Sequence, residues 1–403
     1  MSIVRVIAII LIYLTACGGW MILGTATAVR STGAFINLGG QVEEVWGRAL
    51  IQNAPAFTHT GTGAGEALVP TASTVAVDLR VEHRRKGLVW YPTYLCAFDG
   101  SYAIVNPDAE ARTVRVAFAF PNPHGTYEDF AINVDGAPLV ATIDTAHGVQ
   151  HDLRLEPGQR RLFHVHYRTR GLAQWTYLPA GEAGRVQNLD LVVTTTFAAV
   201  DFPAGSMSPM TNETIDGDGR RLAWKTADLI TRQQIAVSVP ERLNPGPVAS
   251  RITFFAPVCL LFFFVLIATL NVVRGVGIHP MHYLFTAAGF FAFHLLLAYL
   301  VDVLDIHLAF AIAATASVVL VTTYLRAALG SRFPWLAASA AQGFFLVLFS
   351  YSFFLRGATG LTVAIGSVVT LAVLMRVTAG IDWNRVFATP AKVGPGRAPS
   401  FEA

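Results

Sequence analysis

The chain has 403 residues, of which 53% are apolar and 14% charged, with a mean hydropathy of +0.50 and a formal net charge of +3. Such a composition belongs to membrane proteins rather than to soluble globular or disordered chains. Residues 30–251 carry 20 Lys and Arg against 22 Asp and Glu, so the positive excess lies in residues that flank apolar segments, and no basic surface for nucleic acid is indicated.

The first apolar run, Ile3 to Gly24, approaches the roughly 20 residues needed to cross about 30 Å of hydrocarbon. It contains Leu14, Thr15, Ala16 and Cys17, which fit a bacterial lipobox after a basic start at Arg5 and an apolar core. The run continues beyond the cysteine through Gly18, Gly19, Trp20, Met21, Ile22 and Leu23, which favours an uncleaved transmembrane helix over a lipidated Cys17.

The polar part that follows reads as β-rich. Val75, Val77, Leu79 and Val81 alternate with polar residues, as do the stretches Leu162 to Tyr167, Leu189 to Thr195 and Ile235 to Val239. Turn signals such as NPDAE, PNPHG, VDGAP, EPGQ and DGDGR punctuate the strands, while TGTGAGEA near residue 60 reads as a loop. Many short strands so punctuated predict an all-β, sandwich-like domain, as one unit or two small ones. Cys96 is the only cysteine of this part, so no disulfide can close within it, and no zinc-type cysteine spacing occurs.

Two features of the β part invite a chemical reading. His164 and His166 share one face of a strand and could place two imidazoles on one metal, with His147 and His151 completing a site only through the fold. Their neighbours Phe163, Val165 and Tyr167 are apolar, which instead puts the histidines on the solvent face of an amphipathic strand. The basic cluster His83 to Lys86 reads as a solvated turn, and becomes a candidate lipid-phosphate ligand if that turn faces the membrane.

After Arg251 come five apolar segments, Ile252 to Val273, Met281 to Val301, Leu308 to Leu325, Trp335 to Leu355 and Ala358 to Met375. None contains Asp, Glu, Lys or Arg, and each is long enough to span, which gives six spans in all. NPGPVAS reads as the linker into the second span. With the N-terminus inside, Arg5, Arg274, Arg326, Arg332, Arg376, Arg385, Lys392 and Arg397 fall on the cytoplasmic side, and only Arg356 falls in the opposite short loops. The positive-inside rule therefore predicts both termini cytoplasmic and the β domain outside the cytoplasm. Trp335 and Trp383 fall near span ends, where indoles favour the interface. The predicted organisation is a transmembrane helix over 1–29, an extracytoplasmic β-rich domain over 30–250, a five-helix transmembrane bundle over 251–380 and a cytoplasmic tail over 381–403.

This layout, together with VEEVWGRALIQNAP, IHPMHYLF, LAFAIAATASVVLVTTYLRAAL, QGFFLVLFSYSFFLRG and IDWNRV, resembles the inner-membrane CreD family, also called cell envelope integrity or colicin-tolerance proteins. Members typically show HPxQY where this chain has His279, Pro280, Met281, His282 and Tyr283. The resemblance implies an uncleaved first span, a bacterial inner-membrane location and a role in envelope integrity, and it brings no catalytic residue with it.

The polar candidates inside the membrane are His282, His294 and Gln342. Spans free of charged residues argue against a proton- or sodium-driven carrier, and a neutral His294 hydrogen-bonded across helices, for example to Gln342, is the favoured reading. No P-loop, nucleophile elbow, HExxH or SxxK motif occurs, so no catalytic residue, cofactor or metal is assigned. The expected function is a non-enzymatic membrane protein that contacts the lipid bilayer and whose β domain binds an envelope protein or glycan. The alternative is a transporter or lipid-handling protein with a polar path around His294 and Gln342.

Overall fold

The structure is a computed structural model, and it describes residues 3–380 apart from 61–64, 88, 180–183, 216, 276, 331–332 and 356. Arg332, Arg356, Trp383, Arg385, Lys392, Arg397, the IDWNRV motif and the tail 381–403 lie outside the described residues, as does part of TGTGAGEA. The chain forms two compact units, one of Met1–Gly33 with Asn244–Ala403 and one of Ala34–Leu243.

Among the described residues, six helical stretches are long and apolar enough to cross a membrane. The first, α1 (Ile3–Trp46), has 44 residues and is about 66 Å long at 1.5 Å per residue, far longer than the expected span. The apolar run read from the sequence ends at Gly24, and the TGAFINLGGQ stretch further along has little helical pattern of its own. That stretch is held as helix by packing within the β unit: Val42, Leu38, Ala34 and Trp46 form a small core with Val89, Tyr91 and Leu172.

α2 (Pro245–Arg274) starts seven residues before the expected span, so NPGPVAS supplies its first turns and not a linker. Proline at the first helical position loses no intrahelical bond there and has its φ already set for the helix. α3 (Pro280–Leu300) begins with His279 as its cap, whose Nδ1 accepts from the Met281 amide, and with Pro280 in the first turn. Asn271 Oδ1 accepts from the amides of Gly277 and Ile278 and fixes the turn between α2 and α3. The IHPMHYLF motif is thus a helix start.

α4 (Ile306–Leu329) is capped by Asp305 through the amides of His307 and Leu308. The fifth span is not one regular helix. It runs as α5 (Trp335–Gln342), a π-helical segment Gly343–Leu348, the short turn α6 (Phe349–Tyr351) and a 3-10 turn Ser352–Phe354. The last helix, α7 (Thr359–Thr378), buries little of its surface and exposes Leu361, Val368, Leu371 and Met375, as a lipid-facing helix does.

In the other unit the strands are β1 (Leu50–Asn53), β2 (Ala56–Thr60), β3 (Ala72–Val81), β4 (Arg84–Lys86), β5 (Val89–Tyr91), β6 (Thr93–Val105), β7 (Arg112–Phe118), β8 (Glu128–Val134) and β9 (Ala137–Pro138). There follow β10 (Ile143–Asp144), β11 (Gly148–Leu155), β12 (Arg160–Leu172), β13 (Gln174–Leu178), β14 (Arg185–Thr195), β15 (Thr211–Thr214), β16 (Arg220–Ile230) and β17 (Ile235–Ser238). The largest sheet has the order β15-β16-β14-β3-β6-β12-β8-β9. Its other sheets are β10-β11-β7-β2, β1-β13-β17 and the hairpin β4-β5. Most pairs are antiparallel, but β14 runs parallel to β3 and β1 parallel to β13.

In β3, β12 and β14 the alternation read from the sequence is the alternation of burial, whereas in β17 Ile235, Ala236 and Val237 are all buried and the expected alternation is absent. Val75, Val77 and Leu79 of β3, Phe163, Val165 and Tyr167 of β12, and Leu189, Leu191 and Val193 of β14 enter one core with Phe57, Phe118, Trp175 and Val237 from the other sheets. The VDGAP signal is the β8-β9 turn, where Asp135 and Gly136 both have positive φ, as a two-residue type I′ hairpin requires. A Tyr102 to Tyr177 hydroxyl bond of 3.0 Å and a Tyr167 to Gln52 bond of 2.6 Å satisfy buried polar atoms inside this core. Burial, with the Asp78 carboxylate nearby, pushes the Cys96 thiol well up, so it stays protonated and inert.

Candidate functional site in the helical unit

His294, on α3, is fully buried. Its Nδ1 lies 3.2 Å from Trp20 Nε1 and 2.9 Å from the Phe290 carbonyl oxygen, and its Nε2 has no hydrogen-bond partner. The partner is therefore Trp20 of α1, a correction to the expectation of Gln342. Indole is a donor only, so this contact needs an unprotonated Nδ1, with the hydrogen on Nε2. The other tautomer gives Nδ1–H to Phe290 O and turns the Trp20 N–H towards another hydrogen. Either way one ring nitrogen remains unpaired. Trp20 and Phe293 both meet the imidazole edge to face, with ring centroids 5.5 Å and 4.7 Å away, so the surroundings of His294 are aromatic.

Gln342, also fully buried, closes the π-helical segment from its N-terminal side. Its Nε2 donates to Ser317 Oγ of α4 at 3.1 Å, and Ser317 in turn donates to the Gly289 carbonyl of α3 at 2.7 Å. This chain of bonds ties three helices together, while Gln342 Oε1 stays unpaired. Gly289 permits it: a Cβ there would stand 2.4 Å from Val321 Cγ2. His282 joins its Nδ1 to the Tyr324 hydroxyl at 2.8 Å, a second α3-to-α4 link. The three sequence candidates thus each bridge helices, His294 to α1 and the other two between α3, α4 and α5. Cross-helix bonds of this kind contribute roughly 0.6–1.7 kcal/mol each.

A polar ladder along one side of α1 escaped the sequence reading. Tyr13 donates to the Pro257 carbonyl at 3.1 Å, Trp20 reaches His294, the Gly24 carbonyl accepts from Ser250 Oγ at 3.0 Å, and Arg30 pairs with Asp302 at 3.0 Å and bonds the Ala298 carbonyl. Ile9, Ile12, Tyr13 and Ala16 pack on the same helical core. The spacing of three and four residues was visible, but the partners lie more than two hundred positions away. Processing at Cys17 would remove Tyr13 and the apolar residues before it from this contact. Intact-mass measurement on the purified protein should accordingly show residues 1–16 retained. A mass short by that peptide and increased by acyl chains would refute it.

In the β unit, His164 Nε2 and His166 Nδ1 stand 3.2 Å and 3.3 Å from Asp99 Oδ2 on the outer face of the large sheet. His147 pairs instead with Asp144, and His151 sits on β11 opposite Val116. Among the described residues no group of three or more His, Cys, Asp or Glu is placed to hold a metal ion. A cleft of about 720 Å³ is lined by Asn53, Phe118, Leu178, Thr231, Arg232 and Gln233 among others.

These features define a polytopic membrane protein with a large β-sheet unit and a helical unit whose polar groups bridge helices. Residues 223–384 match the family described as inner membrane protein CreD. No curated protein matches. Among solved structures, a putative nutrient binding protein from Legionella pneumophila is 11% identical, with 51% of this chain and 75% of that one covered and a TM-score of 0.33. An M1 zinc metallopeptidase from Deinococcus radiodurans is 14% identical, with 42% of each chain covered and a TM-score of 0.28. At these scores neither likeness carries a functional argument.

Proposed function

We propose that the protein is a non-enzymatic inner-membrane component that contributes to cell envelope integrity, with its β unit periplasmic, sandwich-like and binding an envelope protein or glycan. The observation that carries this reading is the enclosure of His294 by Trp20, Phe290 and Phe293, all fully buried, with no charged residue in any of the five C-terminal apolar segments. A carrier coupled to protons or ions uses ionisable groups that line a cavity. Here His282, His294, Ser317 and Gln342 each make a helix-to-helix bond, which supports a static anchor. The family match over residues 223–384 supports the inner-membrane setting.

The orientation rests on the basic residues that flank the spans. Reporter fusions after residues 60 and 210 should be active outside the cytoplasm, and one after residue 395 should be active inside; an external tail would sink the six-span topology. Crosslinking in the native membrane from exposed positions of the β unit should then capture a discrete envelope component. Capture of nothing but the chain itself, with no change in envelope sensitivity on deletion, would count against the proposed role.

A further inference from the structure

We infer that the cleft of about 720 Å³ in the β unit binds a short, extended peptide segment that carries a carboxylate. The inference rests on the reading that this unit binds an envelope component, and it selects a protein segment over a glycan. The cleft brings together Asn53 at the end of β1, Ala56 at the start of β2, Ala117 on β7, Leu178 at the end of β13 and Arg232 between β16 and β17, all within the unit Ala34–Leu243. Its volume falls in the range of roughly 300–1,000 Å³ of ligand pockets. Ala56 and Ala117 are partners across the β2-β7 pair, and Ala54 and Ala119 join them in the lining. None of these four side chains is longer than a methyl group, so a second backbone can come close to the strands. β1 is the outer strand of its three-stranded sheet and pairs only with β13, and an outer strand of this kind is where extended peptides add to a sheet.

The polar groups of the cleft supply the second argument. Arg232 is exposed and, among the described residues, stands in no ion pair, whereas Arg115, Arg154 and Arg185 of the same unit are paired with Asp152, Glu156 and Asp228. None of the described lining residues is Asp or Glu, so their charge is positive and complements a carboxylate, which a guanidinium can hold by two parallel bonds. Asn53 and Gln233 are exposed, and their side-chain amides bond no other described residue. Each amide offers donors and an acceptor, the same groups that a peptide backbone presents in return. The described lining has no exposed aromatic face on which a sugar ring could stack, since Phe118, its one aromatic, is 1% exposed.

The test uses the full-length chain in detergent and two fluorescent pentapeptides with blocked ends, one with two glutamates among alanines and the other with glutamines in their place. Fluorescence polarisation should show saturable binding of the glutamate peptide, at least about fivefold tighter than that of the glutamine peptide, and Arg232→Gln should remove the difference. Ala56→Tyr, which keeps every charge and puts a strand-forming residue at an exposed position, should weaken both peptides by filling the cleft. Lys225→Gln makes the same change of charge on β16, where Lys225 pairs with Asp190, and should alter neither. Absence of saturable binding, equal affinity for the two peptides, or indifference to both Arg232→Gln and Ala56→Tyr would overturn the site. Binding of a glucuronate tetrasaccharide that is sensitive to both changes, with none of the glutamate peptide, would overturn the peptide assignment in favour of an acidic glycan. Photocrosslinking in the native membrane separates this site from the wider reading. Capture of an envelope component from Met210 but not from Gln233 would reject the cleft alone, and capture from neither would count against a binding role for the β unit.

Discussion

Gly289→Leu should prevent the folded protein from accumulating in the membrane. Even a Cβ at this position would stand 2.4 Å from Val321 Cγ2, and Val321 is buried and β-branched, with little rotameric freedom in a helix. Leucine adds three more carbons to the closest approach of α3 and α4. Overpacking of this kind costs about 1–3 kcal/mol and sometimes more. Forcing the helices apart also stretches the Ser317 bond to the Gly289 carbonyl, and through Ser317 it strips Gln342 of its donor contact. The total of roughly 2–5 kcal/mol is a large share of the 5–15 kcal/mol by which a folded protein is stable. Membrane yield and thermal unfolding in detergent would read the effect. Val321→Ala in the same chain should recover part of the loss, because the clash is with that side chain. A Gly289→Leu protein of native yield and unchanged unfolding temperature would show that α3 and α4 do not meet as described.

What the sequence made legible, and what it hid, divides along the range of the interactions. Apolar spans and the alternation of β3, β12 and β14 are local patterns, and they appear where expected: His164 and His166 outside, with Phe163, Val165 and Tyr167 inside, follow from a period of two. The helical state of residues 34–46 is not local. It is imposed by Tyr91, Val89 and Leu172, whose contact with α1 no periodicity announces. The same holds for the parallel pairing of β14 with β3, strands more than a hundred residues apart with no turn signal to join them. The break of the fifth span after Gln342 also had no proline to mark it. An extra residue per turn in a π segment leaves composition and hydropathy unchanged, so an apolar run reads alike with or without one. Gln342 was visible as a polar residue in that run, but its bond to Ser317 and the close approach at Gly289 were not.

His294→Asp should fail to accumulate, whereas His294→Gln should reach native levels and retain the envelope phenotype. The position is fully buried beside Trp20, Phe290 and Phe293. A carboxylate at the centre of a spanning helix costs about 2.5–3.5 kcal/mol on insertion scales, and here it would also lose the shape of the ring between two aromatic neighbours. Glutamine offers a carbonyl oxygen to the Trp20 N–H, now 3.2 Å from Nδ1, and an amide that can donate back to its own helix. Trp20→Phe isolates the bond itself, and should lower stability by only about 0.6–1.7 kcal/mol while the packing of α1 persists through Tyr13, Gly24 and Arg30. Membrane level, unfolding in detergent and complementation of a deletion strain would be read together on all three variants. Native accumulation of His294→Gln with complete loss of complementation would mean that the imidazole does chemistry that an amide cannot, and a polar path through the helices would then displace the static anchor.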